Sequence, residues 1–174
     1  MGYLQGLASI AIADEDSDYK LKWETNSGFK VEYECYYSKK CKARGTISGY
    51  TKYNKNGQVK HVAQVFSDFP DVRGFMCGIS PNYIHSMDAA HMALVINDWN
   101  GDFGAVHDSF STHACDVETL LVSTKRKFIE MYNEDNYYNI IKQQIVGEGE
   151  VLIDQPDLGN LNIEEIEDSD YFFA

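Results

Sequence analysis

Phe103-Gly-Ala-Val-His-Asp-Ser-Phe-Ser-Thr-His113 consists of a short apolar run, a polar pair and a second, partly apolar run. This pattern predicts two short strands joined at His107-Asp108, which is a tight β-hairpin. A hairpin tip holds a carboxylate rigidly and presents it outside the sheet, so Asp108 is a candidate functional residue. The alternative is that Asp108 serves only in the turn, which is the commonest role of an aspartate at a strand end.

The chemistry open to this segment is that of a metal-binding carboxylate. Magnesium takes oxygen ligands, usually one or two carboxylates together with substrate phosphates. Two such ions held about 4 Å apart stabilise the attacking and leaving oxygens of an in-line displacement. A local Ser-His-Asp triad is excluded, because His107, Asp108 and Ser109 are consecutive and neighbouring side chains on a strand point to opposite faces.

Gly78-Ile-Ser-Pro-Asn-Tyr-Ile-His-Ser-Met-Asp-Ala-Ala-His91 is the second informative segment. Its Pro81-Asn82 pair predicts a turn, and the apolar spacing that follows predicts a helix over residues 86–99. Ordinary structural roles are open to both histidines. These are a capping hydrogen bond for His85 and a satisfied core or surface position for His91.

The clearest helix pattern begins at Asp116, which predicts an N-terminal cap. The apolar positions that follow recur at helical spacing and form one stripe, with Lys125-Arg126-Lys127 largely outside it. The stripe of this helix consists of Val117, Leu120, Leu121, Thr124, Phe128, Met131 and Tyr132.

Two shorter helices are predicted over residues 137–144 and 163–168.

The first half of the chain is rich in predicted strands. Alternating apolar residues over 19–37, interrupted by Asn26-Ser27-Gly28, predict a hairpin. Further strands are predicted over residues 46–53 and 59–66, and a short helix over 3–13. Strands first and helices later predict an α+β fold.

Composition places the 174-residue chain among ordinary globular proteins, with 44% apolar residues and no run long enough for a membrane span. The irregular spacing of the four cysteines fits neither a zinc site nor a disulfide framework. The net charge of −12 is unevenly distributed. Basic clusters occur at residues 39–44 and 125–127, whereas residues 145–174 contain no Lys or Arg.

Taken together, the segments 81–91 and 105–112 resemble the end of the single-subunit DNA-directed RNA polymerases of bacteriophages and mitochondria. Leu158 to Ala174 is similar to that family's ending, a short helix and an aromatic-rich terminus. Residues 23–31 resemble a further family stretch but have Asn26 and Lys30 where prolines usually stand. The resemblance covers the chain and is strongest from Gly78 onward.

The resemblance implies a role for each matching residue. Asp108 is one of the two metal-binding aspartates, and His107 and Ser109 flank it near the RNA 3′ end. Tyr83, His85 and Ser86 are expected near the nascent base pair. Phe172, Phe173 and Ala174 are expected to form a C-terminal foot close to the active site, although a simple terminal anchor is an equal alternative.

The implied architecture is the C-terminal part of a right-hand polymerase. Residues 1–84 correspond to the C-terminal part of the fingers, and residues 85–174 to a palm segment with the catalytic hairpin at 103–113. The first metal aspartate and the triphosphate-binding helix of the family have no match here. The resemblance therefore implies two Mg²⁺ ions shared with an upstream aspartate, and a chain that does not polymerise RNA alone.

The partners implied by the resemblance are a DNA template, nascent RNA, ribonucleoside triphosphates and the rest of the polymerase, with no membrane. The expected location is the cytoplasm of a phage-infected cell, or alternatively an organelle. Two other functions compete with this interpretation. A related DNA polymerase would usually carry glutamate in place of Ser109, and a small acidic binding module would account for the acidic residues 164–170.

Overall fold

The computed structural model describes residues 2–13, 18–42, 51–53, 59–106, 109–133, 137–147, 153–157, 159–170 and 172. The helices are α1 (Tyr3–Ala11), α2 (Val72–Asp98), α3 (Val117–Tyr132) and α4 (Tyr137–Val146), with a 3₁₀ turn at Ile163–Ile166. The strands are β1 (Lys20–Glu24), β2 (Lys30–Glu34), β3 (Tyr36–Lys42), β4 (Thr51–Tyr53), β5 (Val59–Pro70), β6 (Gly104–Val106) and β7 (Ser109–Ser111). The strands pair as small antiparallel sheets, so the predicted α+β class is confirmed.

The β1–β2 hairpin forms where the alternating pattern predicts it. Leu21 and Trp23 point into the core, whereas Lys20 pairs with Glu34 at 3.1 Å on the directly opposite position of β2. Gly28 adopts a φ of 80° in the connecting turn, a conformation that glycine reaches without steric strain. Sequence alternation therefore sets both the register of this hairpin and the face that it buries.

Strand β5 is the centre of a second sheet, with β3 on one side and β4 on the other. It is longer than predicted and continues to Pro70. The predicted strand over residues 46–53 is confirmed for Thr51–Tyr53, which pairs antiparallel with β5. Residues 46–50 and the predicted turn at 54–57 lie outside the described residues.

Helix α2 begins well before its predicted start. The backbone N–H of Gly74 donates to the side chain of Asp71 at 2.9 Å, which caps the helix there. The helix then runs without a break through Pro81. The predicted turn at Pro81-Asn82 and the predicted helix start near Ser86 are therefore wrong.

Tertiary burial explains why Pro81 does not end α2. Proline in a helix interior costs about 3 kcal/mol, partly through the lost hydrogen bond to the Cys77 carbonyl. Each large apolar side chain that is fully buried contributes about 1.5–3 kcal/mol. The buried face of α2 extends to both sides of Pro81 and includes Phe75, Ile79, Tyr83, Met87, Ala90 and Val95. Burial along this face outweighs the local cost of the proline.

The main core lies between α1, α2, the end of α3, α4 and the β1–β2 hairpin. Tyr33 of β2 lies across α2, and its hydroxyl donates to the Phe75 carbonyl at 2.9 Å. A Cβ on Gly78 would collide with this hydroxyl, which explains the glycine at that helical position. The buried members of the main core are Leu7, Ala8, Leu21, Trp23, Phe75, Ile79, Tyr83, Met87, Ala90, Met131, Ile141 and Ile145.

Helix α3 occupies the predicted residues, and its buried face partly follows the predicted stripe. Leu120, Thr124 and Met131 are buried, whereas Val117 is exposed. Lys125 is also buried, contrary to the expectation that the basic run lies outside the packed face. Asp116 occupies the N-cap position but makes no side-chain capping hydrogen bond, so it marks the helix start without the predicted capping contact.

Of the two predicted C-terminal helices, the first is present as an α-helix and the second is reduced to a 3₁₀ turn. Helix α4 confirms the prediction over residues 137–144, and the predicted helix over 163–168 is a single 3₁₀ turn at Ile163–Ile166. Gln144 of α4 holds the edge of the first hairpin, because its amide group donates to the Glu24 carbonyl at 3.2 Å. No helix within the described ranges is long and apolar enough to span a bilayer.

Candidate functional site

The predicted hairpin over residues 103–113 is present as β6 and β7. The two strands are antiparallel, with Ala105 opposite Phe110 and Val106 opposite Ser109. His107 and Asp108, which join them in the sequence, lie outside the described residues. The described strands thus confirm the hairpin on both sides of these residues, and the role of Asp108 stays a prediction.

Side-chain hydrogen bonds close the open end of this hairpin. Thr112 Oγ1 donates to the Asp102 carbonyl at 2.7 Å, and Ser111 Oγ donates to the Gly104 carbonyl at 3.2 Å. The His113 ring lies 2.9 Å from the Asp102 carboxylate. These contacts compensate for the short strands, because a two-stranded ribbon of three residues a side is marginal without further support.

An aromatic column connects the hairpin to the helices behind it. Phe103 packs on Phe110 with ring centroids 5.5 Å apart, and Phe110 lies 6.2 Å from the ring of His91 on α2. His91 in turn meets Phe128 of α3 edge-on at 5.5 Å. Phe172, near the C-terminus, packs edge-on against the same Phe128 at 4.9 Å. The column therefore joins β7, α2, α3 and the terminal segment.

His91 is the polar member of this column. It is only 4% exposed, and its Nε2 lies 2.9 Å from the Thr124 carbonyl of α3. Burial lowers the pKa of His91, while the Thr124 carbonyl and Asp88 act in the opposite direction. The expectation of a satisfied core histidine is confirmed. Sequence reasoning did not predict that the residue links α3 to the hairpin.

The lowered pKa of His91 predicts how stability depends on pH. Above the ordinary histidine pKa near 6.5 the ring is neutral in the folded and unfolded states. As the pH falls below 6.5, the unfolded chain binds the proton more readily, so the free energy of unfolding decreases. We expect His91→Gln to reduce this decrease, and His85→Gln, which alters an exposed ring, to leave it unchanged. Urea unfolding between pH 7.5 and 5 measures the difference, and equal pH slopes for both variants would contradict the prediction.

Tyr83, His85 and Ser86 lie on neighbouring positions of α2 but in different environments. Tyr83 is buried, with its ring 5.6 Å from the indole of Trp23. Ser86 accepts a 2.9 Å hydrogen bond from the Trp23 indole and donates one of 2.7 Å to the Tyr83 carbonyl. His85 is exposed. Of these three, the His85 side chain is therefore the most open to a ligand, and their placement near a nascent base pair stays a prediction.

The predicted C-terminal foot is described at one of its three residues. Phe172 packs against Phe128, as a terminal anchor or a foot would. Phe173 and Ala174 lie outside the described residues. The predicted division of the chain at residues 84–85 falls within the continuous helix α2, and it too stays a prediction.

Asp98 organises the charges at the end of α2. Its carboxylate accepts a 2.7 Å hydrogen bond from Ser123 Oγ and pairs with Arg126, and Lys127 Nζ lies 3.8 Å away. The Ser123 hydrogen bond is the main cause that lowers the pKa of Asp98, followed among the favourable contacts by Arg126 and Lys127. Arg126 thus pairs with Asp98, whereas the nearer partner of Lys127 is Glu130 at 2.7 Å, and Lys125 is directed elsewhere.

Charge is distributed very unevenly between the segment that contains β3, β4 and β5 and the rest of the chain. Residues 36–70, which include β3, β4 and β5, contain seven Lys and Arg but only one acidic residue, Asp68. The remainder of the chain is strongly acidic, since the whole carries −12. A segment of this kind is a suitable contact for phosphates, because cationic side chains release counterions from nucleic acid on binding.

The comparison with known proteins defines the class of this molecule. The chain belongs to the DNA-dependent RNA polymerase family, whose sequence model matches residues 3–150, and its relatives identify the single-subunit, phage-type branch. DNA-directed RNA polymerase 1, mitochondrial, of Arabidopsis thaliana is 33% identical over 132 residues, 70% of this chain and 14% of the relative. DNA-directed RNA polymerase 3B, chloroplastic, of Nicotiana tabacum is 36% identical over 113 residues, 61% of this chain and 11% of the relative.

A third relative shows the same relation in length. DNA-directed RNA polymerase 2, chloroplastic/mitochondrial, of Arabidopsis thaliana is 36% identical over 108 residues, 59% of this chain and 10% of the relative. The matched part of this chain thus spans about a tenth to a seventh of these relatives. The expected family is confirmed. Because the match covers a small part of each relative, the activity of a whole polymerase is not assigned to this chain by the comparison.

Proposed function

We propose that this chain forms the C-terminal part of a single-subunit DNA-directed RNA polymerase and contributes Asp108 to its two-metal nucleotidyl-transfer site. The hairpin formed by β6 and β7 is the observation that carries the proposal. The antiparallel pairing of Val106 with Ser109 leaves two residues, His107-Asp108, between the paired strands. A carboxylate on such a connection is held more firmly than one on a long loop, as metal-assisted catalysis requires.

The chemistry of the donor residue fits magnesium. A carboxylate is a hard oxygen ligand of the kind that Mg²⁺ prefers, and one protein carboxylate is compatible with a site completed by phosphates and water. We propose that Asp108 shares two Mg²⁺ ions with an aspartate of another polymerase segment. When bound, the metals neutralise charge on the phosphates and lower the pKa of the attacking hydroxyl. In this scheme the chain's own contribution is to fix one carboxylate, with His107 and Ser109 beside it.

The exposed side of α2 supports a role for His85 near the substrate. His85 is accessible on a helix whose opposite side is fixed in the core by Tyr83 and Phe75. His85 belongs to α2, and the same helix contacts the β6–β7 hairpin where His91 meets Phe110. We propose that His85 faces the nascent base pair, and that Tyr83 and Ser86 support it from within the fold.

The template and the transcript are the proposed nucleic-acid partners. The basic segment at residues 36–70 supplies positive charge that the remainder of this acidic chain does not. Such a segment can contact backbone phosphates of DNA without reading the bases. Ribonucleoside triphosphates are the proposed substrates, and the remaining polymerase segments complete the active site.

A related DNA polymerase is the second candidate function. Ser109 stands at the position where such an enzyme would usually have glutamate, and the family match is to RNA polymerases. Both observations favour ribonucleotide chemistry. The family match also favours an enzyme over a non-catalytic acidic binding module. The acidic residues 164–170 are the main support for such a module, and a solvated charge run explains them more simply.

The test compares the isolated 174-residue chain with a complete polymerase, meaning this chain combined with the remaining polymerase segments from the same source. We expect template-dependent extension of an RNA primer with ribonucleotides by the complete polymerase and no extension by the isolated chain. A preference for deoxyribonucleotides would favour the DNA polymerase alternative. Absence of any templated synthesis by the complete polymerase would contradict the proposal, and extension by the isolated chain would contradict its predicted inactivity.

The names of the relatives bear on the proposed cellular location. Of these relatives, one is named as mitochondrial, one as chloroplastic and one as chloroplastic/mitochondrial. These names favour the organelle alternative over the cytoplasm of a phage-infected cell. A tagged copy of the complete polymerase that accumulates outside organelles would contradict that assignment.

A further inference from the structure

Lys125 lies at a site that the proposed function does not use. It is 8% exposed, whereas its neighbours on α3, Arg126 and Lys127, pair with the carboxylates of Asp98 and Glu130. The ammonium group of Lys125 instead donates to two main-chain carbonyls, that of Glu167 at 3.1 Å and that of Ser169 in a shorter contact. Lys125 therefore holds the backbone that follows the 3₁₀ turn.

The choice of main-chain acceptors has a physical consequence. A buried ammonium is costly unless its protons are used in hydrogen bonds, so Lys125 can enter this site only with the two carbonyls in place. Carbonyls two residues apart can converge on one ammonium only when the intervening backbone follows a defined path. The contact consequently fixes the course of the chain from Glu167 to Ser169, whatever their side chains do.

The segment fixed by Lys125 leads directly into the aromatic column. Phe172 follows Ser169 by three residues and packs edge-on against Phe128, which lies one turn beyond Lys125 on α3. Phe128 meets His91, and His91 meets Phe110 of β7. Phe110 is two residues from Asp108 in the sequence. A set of contacts thus connects the clamped terminal segment to β7, the strand that directly follows the proposed metal ligand in the sequence.

We propose that Lys125 is a positioning residue for nucleotide addition, which holds the backbone of Glu167 and Ser169 against α3 and thereby keeps Phe172 in the aromatic column that supports the β6–β7 hairpin. This inference rests on the proposed function, because it requires that the hairpin carry Asp108 to the metals. Lys125 acts through the terminal segment and does not touch the substrate. Its loss displaces the carboxylate slightly and slows the chemical step, since small misplacements of a catalytic group reduce rates steeply.

The test measures the rate constant for addition of one ribonucleotide by the complete polymerase under single-turnover conditions. This rate constant does not depend on the fraction of folded enzyme. We expect Lys125→Met to lower this rate at least about tenfold while the KM for the nucleotide changes less than about twofold. Lys125→Arg, which retains a cation and its donors, is expected to stay within about threefold of the parent. Lys127→Met is the matched control on the same helix and is expected to keep the parent rate.

A double-mutant cycle tests the route through the terminal segment. Phe172→Ala should slow addition by a factor similar to that of Lys125→Met, and the double variant should be little slower than either single one. A parent rate in Lys125→Met, or fully multiplicative effects in the double variant, would overturn the inference. If Lys125→Met does not fold, a parent rate in Phe172→Ala overturns it, and a slowed Phe172→Ala with an active Lys125→Arg supports it. Failure of the proposed function is distinct, because the parent polymerase would then show no addition to measure.

Discussion

Asp108→Asn in the complete polymerase is expected to lower the kcat of RNA synthesis by a factor on the order of 10³ or more. Asparagine retains the size and the turn preference of aspartate but loses the negative charge that binds a divalent cation. The effect should therefore be on catalysis, with a melting temperature close to that of the parent. Single-nucleotide extension at saturating substrate and increasing magnesium measures it.

A second aspartate at the same hairpin provides the control for this result. Asp102 is exposed and lies at the open end of the hairpin beside His113. Asp102→Asn removes the same charge from the same local structure, yet it is expected to change kcat less than about threefold, since exposed ion pairs contribute little. If Asp108→Asn and Asp102→Asn proved equally mild, Asp108 would be a turn residue and the two-metal proposal would be wrong.

The elements that were predictable from sequence are those whose burial follows local periodicity. Leu21 and Trp23 alternate with charged residues on β1, and Gly28 supplies the turn, so the hairpin could be inferred from a short window. The stripe along α3 likewise gave the correct helix. The apolar residues of the buried face recur every two residues along β1 and every three to four residues along α3.

The errors arose where distant contacts override a local signal. Pro81-Asn82 is a turn signal in isolation, but α2 continues through it because residues far away in sequence bury the helix on both sides. Trp23 of β1, for example, packs on Tyr83 just after the proline. Asp71 caps α2 well before Pro81, a start that the local turn signal at Pro81-Asn82 does not predict. The free-energy cost of the proline arises within the helix, whereas the burial that offsets it comes from residues distant in the sequence.

Lys125 shows a different limit of sequence reasoning. A basic triplet is usually a solvated face, and two of its members, Arg126 and Lys127, do bind a carboxylate at the surface. What distinguishes Lys125 is its helical position beside Thr124 and Phe128, on the packed face. Its acceptors are main-chain carbonyls, which have no sequence signature. The site around the terminal segment could therefore not be inferred before the fold was known.

Trp23→Ala is expected to destabilise the chain by about 3–5 kcal/mol, the cost of removing a large buried aromatic from a packed core. Trp23 is 3% exposed and contacts both Tyr33 and Tyr83, so its loss leaves a cavity at the junction of the hairpin and α2. Domains of this size are stable by only about 5–15 kcal/mol. Urea unfolding followed by circular dichroism measures the loss. Phe29→Ala on the same hairpin, where the ring is 67% exposed, is the control and should change stability by less than about 0.5 kcal/mol.

Substitutions of Trp23 and Ser86 together distinguish a structural role of Ser86 from a substrate-binding role. The Ser86 hydroxyl accepts the indole hydrogen bond, so Ser86→Ala deprives a buried N–H of its acceptor at a cost of about 1–3 kcal/mol. In a Trp23→Phe background that donor is absent, and the same serine substitution should then cost much less. If Ser86 also contacts the nucleotide, Ser86→Ala must raise the nucleotide KM of the complete polymerase equally in both backgrounds. An effect on KM that disappears with the tryptophan would show that Ser86 acts through the fold alone.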